Sequence, residues 1–145
     1  MYTILKEREC QMKHKEPINL SNGEWKLMNQ LWSHAPRTIM ELTHLLAPDT
    51  GWSKNAVITM LNRLEAKKAV YHENGERAKQ FYPAVEREET ALAETEGFLE
   101  RVYEGSLSLM VDAMASSKRL SRREIDELYE ILRKAEEDAE DRDID

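Results

Sequence analysis

Cysteine is almost missing from this 145-residue chain, and Cys10 alone can neither close an internal disulfide nor build a cysteine-based zinc site. A disulfide-stapled secreted scaffold and a zinc finger are both excluded. Glycine and proline are sparse, with 5 and 4 copies, a profile that suits amphipathic helices rather than a barrel or a collagenous segment. No apolar run approaches the roughly 18 residues of a membrane-spanning helix, so membrane insertion is not expected. Met1 to Lys15 carries charges every few residues, where a secretory leader needs an apolar core of about 7–15. A cytoplasmic location is expected. Catalytic constellations are lacking too. His14, His34, His44 and His72 fall in different segments, and no glycine-rich phosphate loop is present. Glu41-x-x-His44 has the spacing of two ligands on one helical face, but two are too few to hold a metal. The chain reads as a non-enzyme without cofactor or metal.

What remains is charge and helical pattern. Charged residues make up 34% and hydrophobic ones 41%, as suits amphipathic helices, and the length allows one ordinary domain or two small ones. The net charge of −7 is unevenly spread. Met1 to Val85 holds 12 Lys/Arg against 9 Asp/Glu, a balance of +3, whereas Glu86 onward holds 9 against 19, a balance of −10. A basic half facing phosphate and an acidic half serving another purpose would show this asymmetry.

Ser21-Asn22-Gly23-Glu24 is a capping box, and Trp25, Met28, Leu31 and Trp32 behind it recur at helical spacing, predicting a helix from about Asn22 to Ser33. Arg37-Thr38-Ile39 reads as a short strand. Met40, Leu42, Leu45 and Leu46 follow as a brief helix stopped by Pro48. Ser53 caps a third helix to about Lys68, with Ala56, Val57, Met60, Leu61 and Leu64 on one stripe. The pattern then turns alternating around Asn74-Gly75, a strong signal for a type I′ hairpin turn, and Pro83 marks its strand as an edge. Trp25 and Trp32 share a stripe and read as core, while Trp52 reads as a hydrophobic staple.

Helix, short strand, helix, helix and hairpin within one small segment is the layout of a winged helix-turn-helix, in which the third helix enters the major groove. Opposite the buried stripe that helix presents Lys54, Asn55, Ile58, Thr59, Asn62 and, to one side, Arg63. Asparagine can pair with adenine, Ile58 can touch a thymine methyl, and Ser53, Lys54 or Arg63 can hold phosphates. Arg77 and Lys79 at the hairpin tip can reach neighbouring backbone. The rival non-enzymatic reading is a winged helix used only for protein docking. It needs no basic half, and it would favour larger apolar residues on that outward face.

Leu20-Ser21-Asn22-Gly23-Glu24-Trp25 with Met28 and Leu31-Trp32, then Trp52-Ser53-Lys54-Asn55-Ala56-Val57 through Leu61-Asn62-Arg63-Leu64, and finally Phe81-Tyr82-Pro83 carry a resemblance. Over about four-fifths of its length the chain resembles the BlaI/MecI family of bacterial penicillinase and methicillin-resistance repressors. The resemblance implies an N-terminal winged-helix domain, a C-terminal helical dimerisation domain, and repression by a homodimer on a palindromic double-stranded operator. By the same analogy Lys54, Asn55, Thr59 and Arg63 fall where family members meet DNA. The copper-responsive members end in paired Cys-x-Cys motifs, which this chain lacks. In the β-lactam-responsive members a membrane sensor triggers proteolysis at an Asn-Phe bond, and Ala113-Met114 stands there in this sequence, so the candidate cleavage region departs from the family pattern.

The expected organisation is therefore an N-terminal extension at 1–19, loosely ordered, a DNA-binding domain at 20–85, a dimerisation domain at 86–135 and a fraying acidic tail at 136–145. Leu92, Leu99, Val102 and Tyr103 mark the first dimerisation helix, ended by Gly105. Leu107, Met110, Val111 and Met114 mark the second. Ser121 and Glu124 cap the third, which carries Ile125, Leu128, Tyr129 and Leu132. Three short amphipathic helices present more apolar surface than they can bury alone, and a second subunit would cover it.

Overall fold

A computed structural model of the chain describes residues 18–143. Expectations about the first 17 positions, Cys10 and the leader stretch among them, lie outside the described residues. The fold is mainly α with a small β-hairpin, as the sequence predicts. Helix α1 spans Asn22–Ser33, α2 Ile39–Thr50, α3 Lys54–Ala66, strand β1 Val70–Asn74, β2 Lys79–Pro83, α4 Arg87–Tyr103, α5 Leu107–Ser116 and α6 Arg122–Asp143.

Helix α1 starts where its cap dictates: Ser21 Oγ accepts from the Glu24 amide at 3.2 Å, and Glu24 Oε1 accepts from the Ser21 amide at 2.9 Å. Its buried stripe is Leu27, Met28 and Leu31. These residues, with Leu42 and Leu46 of α2 and Val57, Leu61 and Leu64 of α3, form one core, closed on one side by Val70, Phe81 and Val85. Ile18 packs against it and Asn19 O accepts from Lys67 Nζ at 2.7 Å, so these two positions join the packed domain instead of a loose extension.

Three local expectations are corrected by the structure. The strand at Arg37 to Ile39 shrinks to a single bridge, Arg37 with Phe81, because the hydroxyl of Thr38 caps α2 by accepting from the Glu41 amide at 3.1 Å. The bridge covers part of the second edge of β2, and Pro83 lies beyond it, where its missing N–H breaks no ladder bond. Helix α2 also runs past Pro48, whose exposed ring removes one bond only. Gly51, at φ 66°, donates to Ala47 O at 2.8 Å, and Thr50 Oγ1 donates to Leu46 O at 2.7 Å, which together close the last turn.

The hairpin turn is displaced as well. Asn74 is the last residue of β1, paired with Lys79, and the Gly75 amide donates to Ala78 O at 3.0 Å, which leaves Glu76 and Arg77 at the tip. Gly75 is needed there for closeness: a Cβ on it would stand 2.6 Å from Ala78 O.

The chain divides into two compact units at Gly97/Phe98, inside α4, and not at Glu86 where the composition changes. The reason is local: Thr90 in the first turns of α4 is buried, and Trp32 Nε1 donates to Val85 O at 2.9 Å. In the second unit Gly105, at φ 81°, ends α4 by donating to Leu99 O at 2.9 Å, and Ser106 caps α5. Ser121 and Glu124 bond to each other across the start of α6. That helix continues through the acidic segment to Asp143, which corrects the expected fraying. From Phe98 to Asp141 no residue is buried.

Candidate nucleic-acid interface

The apolar stripe of α3 decides which of its residues point outward. Val57, Leu61 and Leu64 are fully buried, so Lys54, Asn55, Thr59, Asn62 and Arg63 are exposed on the other side. Ser53 is exposed at the cap, where its hydroxyl accepts from the Ala56 amide at 3.2 Å and keeps its own proton to donate. Two of the sequence-selected side chains stand differently from expectation. Ile58 is half-buried, at the margin of the face, because 100° of helical rotation separates it from Val57. Thr59 donates its hydroxyl proton to Asn55 O at 3.0 Å, leaving its methyl and lone pairs for any partner.

The hairpin is held against the end of α3. The Ala69 amide donates to Leu64 O at 2.9 Å, the Ala84 amide to Ala69 O at 2.8 Å, and His72 Nδ1 on β1 meets Glu65 Oε1 on α3. Arg77 at the tip and Lys79 at the start of β2 are exposed. On the hairpin face away from Phe81, the cross-strand rings of Tyr71 and Tyr82 stack at 5.1 Å, and burial together with the nearby Glu73 carboxylate raises the Tyr82 hydroxyl above its ordinary pKa.

Electrostatics separate the outward cations from the structural ones. Lys26 is paired with Asp49 at 2.9 Å and Lys67 with Glu24 at 2.7 Å, each tying two helices together. Lys54, Arg63, Arg77 and Lys79 form no ion pair among the described residues, so their charge is available to an anion outside the domain. Glu24 and Gly23 were legible in the sequence only as a cap and a helix position. Nothing in local spacing signals that they meet α3.

In the second unit the selected apolar residues stay on the surface. Val102, Leu107, Val111, Met114 and Leu132 are exposed, Leu99, Tyr103, Met110, Ile125 and Leu128 half-buried. Leu92 is exposed as well, on the part of α4 that belongs to the first unit. The sequence selection left out Phe98, Leu109 and Ile131, which are likewise exposed. Ala113 and Met114 are exposed within α5, so a protease needing extended backbone must first open that helix. Among the described residues no group of three or more His, Cys, Asp or Glu is placed to hold a metal, and no helix is long and apolar enough to cross a membrane.

A three-helix core with a hairpin behind the third helix, whose outward face is polar and cationic, defines a winged-helix DNA-binding protein. The chain belongs to the penicillinase repressor family, whose sequence pattern matches residues 20–134. It is 31% identical over 118 residues to the penicillinase repressor of Bacillus licheniformis, spanning 81% of this chain and 92% of that protein. It is 26% identical over 115 residues to the methicillin resistance regulatory protein MecI of Staphylococcus aureus strain N315, spanning 79% and 94%. Among solved structures it is similar to the DNA-binding domain of the repressor BlaI, with 27% identity, a TM-score of 0.46, and coverage of 50% of this chain and 89% of that domain. The family is one of DNA-binding transcriptional repressors and not of enzymes.

Proposed function

We propose that this chain represses transcription in the cytoplasm as a homodimer on a palindromic operator, each subunit laying α3 in the major groove while the hairpin tip holds adjacent backbone. The observation that carries the reading is the outward face of α3, where Lys54, Asn55, Thr59, Asn62 and Arg63 are exposed opposite a fully buried apolar stripe. In this reading Asn55 and Asn62 read base edges, and Ile58 with the Thr59 methyl gives apolar contact at the groove. Ser53, Lys54, Arg63, Arg77 and Lys79 meet phosphates.

The dimer forms through the exposed apolar residues of the second unit. Its target genes are of the resistance type, β-lactam or related, as the family implies. Release follows cleavage of α5 near Ala113 and Met114, driven by a membrane sensor-protease pathway: cutting there detaches α6, with Ile125, Leu128 and Leu132, from the DNA-binding half and leaves only part of the pairing surface on it.

Selection of bound sequences from random duplex DNA by the purified full chain tests the reading. Enrichment of a palindrome is the expected result. Absence of any enriched sequence overturns it and favours the protein-docking alternative.

A further inference from the structure

Two adjacent residues at the start of α1 reach both ends of α3. Gly23 has no side chain, and the space is filled by Trp52, the residue before the α3 cap, and by Met60 in mid-helix. A Cβ on Gly23 would stand 3.1 Å from Cη2 and Cζ2 of Trp52 and from Cε of Met60. Glu24 next to it grips the other end. Its Oε1 lies 2.7 Å from Nζ of Lys67, the C-cap of α3, and the same ammonium donates to Asn19 O at 2.7 Å. We propose that Gly23 and Glu24 form a positioning clamp that sets the tilt of α3 and thereby the sequence discrimination of the repressor.

Other directional contacts of α3 lie at its C-terminal end, where Glu65 meets His72 of β1 and Leu64 O accepts from the Ala69 amide. Val57, Leu61 and Leu64 attach it by apolar burial, which is strong but non-directional. A helix of 13 residues is about 20 Å long, so a rotation of about 3° around one end displaces the other by ~1 Å. Base readout does not survive such a shift, because hydrogen bonds need heavy atoms within about 2.7–3.2 Å, and a working constellation must be held to within about 0.5 Å. Phosphate contacts do survive it, since lysine and arginine stems flex to follow a point charge. The clamp therefore acts on specific binding and leaves non-specific binding alone.

Stability alone is a poor account of Glu24. The residue is 3% exposed, yet its Oε2 has no hydrogen-bond partner among the described residues, an arrangement that costs desolvation free energy. The pair joins a buried carboxylate to an ammonium that is 37% exposed, and holding a buried charge to one partner enforces one geometry more than it adds net stability.

The proposal rests on α3 being the base-reading element. The test uses the full chain, an operator duplex obtained by selection, and a random duplex, with affinities measured across a salt series. Glu24→Gln keeps an acceptor for the Ser21 amide but loses the charge on Lys67. It should lower the ratio of operator to random affinity by about tenfold, the scale of one lost base contact, with affinity for random DNA and the salt slope unchanged. Gly23→Ala should lower the ratio too. Its Cβ displaces Trp52 and Met60, whereas alanine favours the helix, so discrimination and thermal stability separate in this variant. Lys67→Arg, which keeps the grip, should retain most of the ratio.

An unchanged ratio in Glu24→Gln and Gly23→Ala, with or without a lower Tm, overturns the clamp while the reading of α3 stands. Equal losses on both duplexes overturn it as well, since they report damage to the fold. If the unaltered chain itself prefers no sequence, the reading of α3 fails first and the clamp with it.

Discussion

The two units of this chain treat their apolar residues in opposite ways. Up to Gly97, leucines and valines from three helices and a hairpin meet in one core, and Leu27, Leu42, Val57 and Leu64 are fully buried. From Phe98 onward α5 and α6 keep their stripes on the surface, with Leu107 and Leu132 more than half exposed. Periodicity alone makes the halves look equivalent. The contrast teaches that a helical stripe states a need for a partner without naming it: in the first unit the partner is the same chain, and in the second the proposed partner is another copy.

Severing the units should have the largest effect. A chain ending at Gly97 should remain folded and bind a single half-site as well as the full chain does, yet bind a two-half-site operator about 10²–10⁴-fold more weakly, because linked half-sites lose their effective concentration. Mobility-shift titration on both duplexes checks this, and equal weakening on both would remove avidity as the reason. Ending the chain at Val85 instead should also lower Tm, since buried Thr90 is lost with α4.

Next come core truncations. Leu61→Ala, at a side chain 1% exposed, should destabilise the first unit by about 2–5 kcal/mol in thermal or urea unfolding. Leu132→Ala, at one 61% exposed, should leave subunit folding within about 0.5 kcal/mol and shift sedimentation toward monomer. If both variants unfolded alike, the two stripes would not differ in kind.

Within the interface, Asn55→Ala should cost about 1–3 kcal/mol on the operator and much less on random DNA. Arg77→Ala should reduce the salt slope by about one unit and leave sequence preference unchanged. The smallest effect concerns pH. Burial opposes ionisation of Glu24, but hydrogen bonds from Lys67 and Ser21 outweigh it and hold its carboxyl below the ordinary value of 4.5. Its stabilising contribution is thus complete above about pH 4.5 and lost as pH falls through the depressed value, so the difference in unfolding midpoint between the natural chain and Glu24→Gln should shrink below that pH.

Much of the interface was legible beforehand because helix faces follow from spacing. Once Val57, Leu61 and Leu64 are taken as buried, the exposure of Lys54, Asn55, Asn62 and Arg63 follows from 3.6 residues per turn. Ile58 was harder to place, because whether a residue at the edge of a stripe is covered depends on the neighbours that reach it. The Glu24–Lys67 pair was illegible, since 43 positions separate its members and either residue alone reads as an ordinary cap or a solvated lysine.

By itself the sequence determined where α1, α3 and α6 begin, at the caps Ser21, Ser53 and Ser121, which helix faces are apolar, and that charge divides between the halves. These properties rest on contacts three or four residues apart and on side-chain chemistry, so they need no knowledge of the fold. Only the tertiary structure decided that Arg37 bridges to Phe81 and in which register β1 and β2 pair, which puts the turn at Glu76 and Arg77. It likewise placed the division of units inside α4 and set Gly23 and Glu24 against the two ends of α3. Each of these depends on which distant segments meet. Pairing across a sheet or a core is settled by the joint packing of many residues, a quantity that no single stretch of sequence contains.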